Sequence, residues 1–198
     1  MNNKPILFAT MLVSLLYTPQ LSAEIVVVEK AVFAGGCFWC IEAVYQDLDG
    51  VLDAISGFTG GKHKNPTYKG NHKGHYEAVE VTFDSNVITY QQLLDIFWVN
   101  IDPFDNKGQF CDKGPSYRSA IFIDARQRDM AVASKDKIIA RFPEARVYTE
   151  ILESALFYPV EKYHQDYYKK NPIRYHFYRS RCRRDARLNQ IWGAAAKH

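Results

Sequence analysis

The segment from Gly35 to Cys40, GGCFWC, contains the residues best suited to chemistry in this 198-residue chain. It joins a valine-rich stretch to a pattern typical of a helix that starts near Phe38. A cysteine at a helix N-terminus faces unpaired backbone N–H groups and the positive end of the helix dipole, and both favour the thiolate. The two glycines permit backbone conformations closed to other residues and let a substrate approach closely. We therefore expect Cys37 to be a nucleophile.

The chain has four cysteines, Cys37, Cys40, Cys111 and Cys182. In an exported protein, four cysteines usually indicate two structural disulfides. However, a chain of this length builds a sizeable core without them, and a bridge between Cys37 and Cys40 would constrain almost no loop entropy. Redox chemistry is therefore the better interpretation of this pair. One function of that kind is a thiol-disulfide oxidoreductase, which would need a thioredoxin-like strand order and a cis-proline facing the cysteines. The sequence offers no strong candidate for that proline.

Three histidines, His63, His72 and His75, lie in one polar loop and raise the question of a metal site. Their spacings of nine and three residues match no standard ligand pattern, and the cysteines lie elsewhere in the chain. We therefore expect no metal. His75 is expected to order the loop ahead of Glu77.

Residues 1–23 have the pattern of a secretory signal peptide, with Lys4, an apolar run from Ile6 to Tyr17 and a cleavage site after Ala23. A retained N-terminal anchor is the competing interpretation, although the apolar run is short for a membrane span. We expect an exported protein, periplasmic or secreted, with one mature domain over residues 24–198. No other apolar stretch approaches transmembrane length, so no stable membrane insertion is expected after cleavage.

The charge of the chain is nearly balanced, with a formal net charge of +3 at pH 7, which argues against nucleic-acid binding. Basic residues are concentrated in the last part of the chain, at Arg174 and in a tail over residues 175–198. We interpret this cluster as a solvated, irregular surface segment, and we expect a monomer.

The elements that position Cys37 are a strand over 25–34 and a helix over 40–48. Downstream patterns predict strands over 51–59, 77–83, 118–124 and 147–152, and helices over 89–100 (with Thr89 as its N-cap), 127–141 and 160–168. A long polar loop over 62–76 has a length typical of functional loops. The order strand, helix, strand, strand, helix, strand predicts an α+β fold with a ferredoxin-like split βαβ core, in which helices pack on one face of an antiparallel sheet.

Six short motifs follow one another in an order seen in one enzyme family: GGCFW at 35–39, GFTGG at 57–61, NPTY at 65–68, GHYEAV at 74–79, YRSAI at 117–121 and KNP at 170–172. On these residues the sequence resembles the A-type peptide methionine sulfoxide reductases over nearly the whole mature chain. The resemblance implies an enzyme that reduces methionine-S-sulfoxide, free or in proteins, and so repairs oxidised proteins. It also implies no bound cofactor, and an external dithiol reductant such as thioredoxin or a thioredoxin-like protein.

The resemblance implies roles for individual residues as well. Cys37 supplies the thiolate that attacks the sulfoxide sulfur, and it remains as sulfenic acid. Glu77 stands at the start of a strand beside tyrosines and apolar residues, where a raised pKa would let it give its proton to the oxygen. The other matched positions are the hydroxyl donors Tyr68 and Tyr117, the methyl-pocket walls Phe38 and Trp39, and Asp112, which helps arrange substrate binding or release.

The chain departs from the family pattern at position 40, where the commonest motif has glycine and this chain has Cys40. The glycine-rich tail that carries resolving cysteines in many relatives is also absent. Three cysteines are therefore candidates to condense with the Cys37 sulfenic acid. Cys182 comes first because flanking arginines favour its thiolate and a mobile tail gives it reach. Cys40 comes second through its short spacing, and Cys111, next to Asp112, comes third.

Overall fold

The structure, a computed structural model, describes residues 25–196, so the predicted signal peptide lies outside the described residues. The strands are β1 (Val28–Gly35), β2 (Val51–Thr59), β3 (Tyr76–Asp84), β4 (Gly108–Gln109), β5 (Asp112–Lys113), β6 (Ser119–Ile123), β7 (Glu150–Glu153) and β8 (Tyr158–Pro159). The α-helices are α1 (Phe38–Tyr45), α2 (Tyr90–Val99), α3 (Arg128–Arg141), α4 (Tyr167–Lys170), α5 (Pro172–Arg181) and α6 (Arg184–Trp192). Within this described part of the chain, no helix has the length and apolar character needed to cross a membrane.

Six strands form one sheet in the order β7-β6-β1-β3-β2-β8, and β4 pairs with β5 in a separate hairpin. The α+β class is confirmed. The prediction of a purely antiparallel sheet is wrong at one edge, because β7 runs parallel to β6 while the other pairs of this sheet are antiparallel. The reason is the connection: α3 carries the chain from the end of β6 back to its start, so β7 leaves in the same direction.

Helices α1 and α2 cover one face of the sheet because each presents an apolar stripe. Phe33 of β1 is fully buried beneath them and stacks on Tyr45 of α1 and on Phe97 of α2. The N-cap prediction for α2 is confirmed, since the Thr89 hydroxyl accepts the Gln92 N–H at 3.2 Å and the Gln92 side chain accepts the Thr89 N–H at 2.8 Å. The apolar residues that the two helices bury are Phe38, Cys40, Ile41, Tyr45, Tyr90, Leu93, Leu94, Phe97 and Trp98.

The turn between β1 and α1 needs both of its glycines for close packing. A Cβ on Gly35 would lie 2.5 Å from a methyl carbon of Ile41, and one on Gly36, where φ is +84°, would lie 2.6 Å from the Cβ of Gln109. The glycines expected to admit substrate therefore bring α1 and β4 against the turn. As a result, α1 begins at Phe38 with Cys37 as its N-cap.

The C-terminal segment, predicted to be an irregular tail, is helical and packs on the core. Arg184, Leu188 and Trp192 recur every four residues on α6, and all three are buried. Because one of the buried positions is an arginine, the apolar residues alone do not show the helical period of this segment. The prediction of a solvated basic cluster is also wrong for Arg179 and Arg184, which are only 8% and 2% exposed.

Residues Val160 to Asp166, which we call the strap, contain turns over 162–166 where the sequence predicts a helix over 160–168, and only the last two residues of that prediction lie in a helix, α4. The strap follows β8 and continues along the same edge of β2. The Gln165 side chain accepts the Ser56 N–H at 2.9 Å and donates to the Ser56 carbonyl at 2.8 Å. Because one side chain satisfies both backbone groups of Ser56, the strap is held to the sheet without forming a helix.

Candidate active site

Cys37 and Glu77 meet at the N-terminus of α1. Glu77 lies near the start of β3, in the middle of the sheet, and its carboxylate accepts the Phe38 N–H at 3.2 Å. This N–H is one of the donors left unpaired at a helix start, so Glu77 caps the helix whose N-cap residue is Cys37. Cys37 and Glu77 are 6% and 2% exposed. Strand and helix thus bring a buried acid next to a buried thiol.

A cavity of about 50 Å³ lies over these two residues. This volume holds a group the size of a few water molecules, which suits the end of a side chain and not a whole residue. All seven residues with implied catalytic or binding roles line it, together with Tyr178, which the sequence analysis missed: Cys37, Phe38, Trp39, Tyr68, Glu77, Asp112, Tyr117 and Tyr178.

Glu77 has the protonation behaviour of a general acid. Burial raises the pKa of Glu77 to about 8, and the nearby Asp112 carboxylate also raises it, while hydrogen bonds from the Phe38 N–H and the Tyr117 hydroxyl oppose the shift. Burial also raises the pKa of Tyr68 to about 12 and that of Tyr117 above its usual value. At neutral pH the cavity therefore holds a carboxylic acid and two neutral hydroxyl donors.

Cys37 and Cys40 are joined by a hydrogen bond between their thiols. Burial, together with the Cys40 sulfur, raises the pKa of Cys37 well above that of a free thiol. The pKa of Cys40 is lowered to about 6, first because it accepts a hydrogen bond from Cys37 and further because the guanidinium groups of Arg184 and Arg179 lie nearby. Cys40 is therefore the more acidic thiol of the pair, and the expectation that the helix start favours a thiolate at Cys37 is wrong, because burial and the neighbouring sulfur outweigh the helix N-terminus.

An aromatic wall closes one side of the cavity. The Trp39 ring stacks on Tyr167 at 3.8 Å between ring centres with 7° between planes, and its Nε1–H donates to His164 Nδ1 at 3.1 Å. Tyr178 meets Trp39 edge to face at 5.9 Å, and its hydroxyl bonds the Asp112 carboxylate. The sequence pattern does not identify His164, Tyr167 and Tyr178 as site residues, because their aromatic-rich region is typical of a short helix followed by an irregular tail.

Two of the three candidate resolving cysteines are bonded to each other. Cys111 and Cys182 form a disulfide with 4.8 Å between their Cα atoms, whereas Cys37 and Cys40 are free. Cys182 was expected in a mobile tail, but it lies at the C-terminal end of α5, where the disulfide joins it to the β4–β5 hairpin. Cys40 is therefore the free thiol that lies beside Cys37 within residues 25–196.

His75 orders the loop ahead of Glu77, as predicted. Its buried ring accepts the Gly61 N–H at 3.2 Å, and its other nitrogen lies 2.8 Å from the His63 carbonyl oxygen. His72 stacks on Phe58 at 5.0 Å between ring centres. Both histidines therefore have structural contacts that account for their positions.

Comparison with known proteins assigns the chain to a family. The sequence model of the family described as "Peptide methionine sulfoxide reductase" matches residues 29–196. The chain is 49% identical over 168 residues to "Peptide methionine sulfoxide reductase MsrA 2" of Caulobacter vibrioides, with 83% of this chain and 86% of that protein covered.

Solved structures have the same fold. Methionine sulfoxide reductase A of Corynebacterium diphtheriae is similar at a TM-score of 0.65 and 31% identity, over 73% of this chain and 76% of that one. Reduced Mxr1 from Saccharomyces cerevisiae gives a TM-score of 0.66 and 30% identity, over 73% of this chain and 86% of that one. The chain belongs to the peptide methionine sulfoxide reductase family, in its A-type (MsrA) branch.

Proposed function

We propose that this protein reduces methionine-S-sulfoxide, free or in proteins, to methionine and so repairs oxidised proteins. The observation that carries the proposal is the convergence of a thiol, a protonated carboxyl and two tyrosine hydroxyls on a cavity with an aromatic wall. The wall accepts a thioether methyl group, because sulfur and methyl groups pack well against aromatic rings. The relatives' names point to the same chemistry.

In the first step, Cys37 passes its proton to Cys40 and its sulfur attacks the sulfoxide sulfur. Glu77 gives its proton to the departing oxygen, and Tyr68 and Tyr117 donate hydrogen bonds to that oxygen as charge develops on it. Methionine leaves, and the oxygen stays on Cys37 as sulfenic acid. The sulfoxide is thus reduced by two electrons, and Cys37 is oxidised by two.

In the second step, we propose that Cys40 resolves the sulfenic acid, in place of Cys182, which the sequence ranked first. As the Cys40 sulfur attacks the Cys37 sulfur, the proton that Cys40 took up in the first step goes to the departing hydroxyl, so a disulfide forms and the oxygen leaves as water. Two features support Cys40: it contacts Cys37 directly, and two buried arginines stabilise its thiolate. An external dithiol, thioredoxin or a thioredoxin-like protein, then reduces the disulfide, and no metal or bound cofactor takes part.

The alternative, a general thiol-disulfide oxidoreductase, lacks one structural requirement. No peptide bond in the described part of the chain is cis, so the cis-proline expected to face the cysteines is not found there. The small cavity with its raised-pKa acid also has no role in simple disulfide exchange.

Turnover of a peptide carrying methionine sulfoxide, with dithiothreitol as reductant, tests the proposal. We expect the S epimer to be reduced and the R epimer to remain, and Cys37→Ser to remove activity. Replacement of both Cys111 and Cys182 by serine is the control, because it removes the disulfide outside the cavity, leaves no new free thiol and keeps Cys37 and Cys40. The proposal fails if wild type shows no turnover, or if Cys37→Ser leaves the rate unchanged.

We further propose that the protein is exported as a monomer after cleavage of residues 1–23, with residues 24–198 as its single domain. The composition of that segment supports export. N-terminal sequencing of protein from the periplasm or medium of the native cell should begin at Glu24. Recovery of the intact N-terminus in the membrane fraction would support a retained anchor instead.

A further inference from the structure

Glu42 is a buried carboxyl group that the proposed chemistry does not use. It lies on α1, one turn after Trp39, and is 1% exposed. Its two carboxylate oxygens accept hydrogen bonds from the Ser56 hydroxyl on β2 and from the Asp166 N–H at the end of the strap. One side chain therefore joins the helix, the sheet and the strap.

The Asp166 backbone is in an uncommon conformation, and its N–H is bonded to Glu42. Its φ is +53°, in the left-handed region that non-glycine residues rarely adopt, and α4 begins at the next residue, Tyr167. The hydrogen bond from the Asp166 N–H to Glu42 fixes the backbone at this point. The direction in which Tyr167 leaves the strap therefore depends on Glu42.

The strap and the residue after it carry several partners of the aromatic wall. His164 accepts the Trp39 Nε1–H, and Tyr167 stacks on the Trp39 ring. Glu161 accepts the Tyr68 N–H at 3.4 Å. These contacts sit on a segment tied to the sheet by Gln165 and to α1 by Glu42.

We propose that Glu42 is a positioning residue for substrate: it holds the end of the strap against α1, so that His164 and Tyr167 fix the Trp39 ring at the cavity. Glu42 does not touch the reacting atoms and acts through these residues alone. The inference rests on the proposed reduction of methionine sulfoxide. Burial raises the pKa of Glu42 to about 7, so the group is partly neutral near physiological pH, and glutamine is a close mimic of that state.

The test compares four proteins: wild type, Glu42→Ala, Glu42→Gln and Gln46→Ala. Gln46 is the matched control because it is the C-cap of α1, one turn beyond Glu42, and its side chain accepts the Ala54 N–H of β2 at 3.0 Å, with no hydrogen bond to the strap among the described residues. We expect Glu42→Ala, which removes the hydrogen bonds to both Ser56 and Asp166, to raise KM for a methionine sulfoxide peptide about tenfold through loss of the bond that holds the strap, with kcat changed much less. Glu42→Gln should restore KM to within about twofold, since its amide oxygen still accepts the Asp166 N–H.

The near-UV circular dichroism of the tryptophans gives a second readout. We expect Glu42→Ala to weaken the signal of the Trp39 stack, while Glu42→Gln and Gln46→Ala retain it. If Glu42→Ala does not fold, Glu42→Asp serves instead, because its shorter side chain cannot reach both partners. Equal KM values for Glu42→Ala, or Glu42→Asp, and Gln46→Ala would overturn the positioning role. If the wild-type protein shows no turnover of the peptide, the proposed function itself is refuted.

Discussion

The protonated state of Glu77 decides the pH at which the proposed reduction works. The acid must hold a proton, so the rate should fall as pH rises through about 8, the raised pKa of Glu77. The thiol pair must have lost one proton, so the rate should also fall as pH drops below about 6, the lowered pKa of Cys40. We expect a bell-shaped profile of kcat/KM between these values, measured with a methionine sulfoxide peptide and dithiothreitol.

Glu77→Gln should remove the alkaline limb of this profile and lower kcat by roughly 10²- to 10⁴-fold, the usual contribution of a general acid. Glutamine still accepts the Phe38 N–H, so the start of α1 should stay capped and the fold intact. Glu80→Gln is the matched control, because Glu80 lies on the same strand and pairs with Lys30 at the surface. An alkaline limb that persists unchanged in Glu77→Gln would show that another group supplies the proton.

At the scale of elements, the C-terminal helices supply the positive charge that the thiol pair needs. Arg184 on α6 donates to the Asn100 carbonyl at 2.7 Å and lies over the Phe110 ring. Arg179 on α5 pairs with Asp185 and donates to the Tyr175 hydroxyl at 3.2 Å. Both guanidinium groups lower the pKa of Cys40. The sequence predicted a solvated tail in place of these helices. The reason is that arginine is usually a surface residue, so arginines at buried positions are not recognised in the sequence.

We expect Arg179→Met to raise the pH midpoint for alkylation of the free thiols by about one unit, since it removes a cation close to a thiolate. The measurement is the rate of iodoacetamide labelling at Cys40 against pH, followed by mass spectrometry. Arg181→Met is the matched control: Arg181 lies on the same helix and is exposed. A midpoint shifted equally by both substitutions would exclude a specific effect of Arg179.

Across the whole molecule, the features that the sequence predicts depend on residues close together in the chain, and the features that it does not predict depend on contacts between residues far apart in the chain. Cys37 at a strand-helix junction and Glu77 on its strand follow from local patterns. The pairing of Cys111 with Cys182 does not, because it depends on where α5 meets the β4–β5 hairpin across a sequence separation of 71 residues. The parallel direction of β7 and the position of the strap also depend on tertiary contacts, because each is set by the element that it packs against.

The Cys111–Cys182 disulfide should matter for stability and not for resolving the sulfenic acid. Closing a loop of 71 residues is worth about 4 kcal/mol in the chain-entropy treatment, so replacing both cysteines by serine should lower Tm by roughly 10 °C. With Cys40 as the resolving residue, this double variant should still form a Cys37–Cys40 disulfide after one turnover without reductant. Peptide mapping by mass spectrometry measures this directly.

In Cys40→Ser, by contrast, Cys37 should remain as sulfenic acid. A disulfide to Cys37 that forms in Cys40→Ser, and is lost when Cys111 and Cys182 are replaced, would return the resolving role to the C-terminal pair.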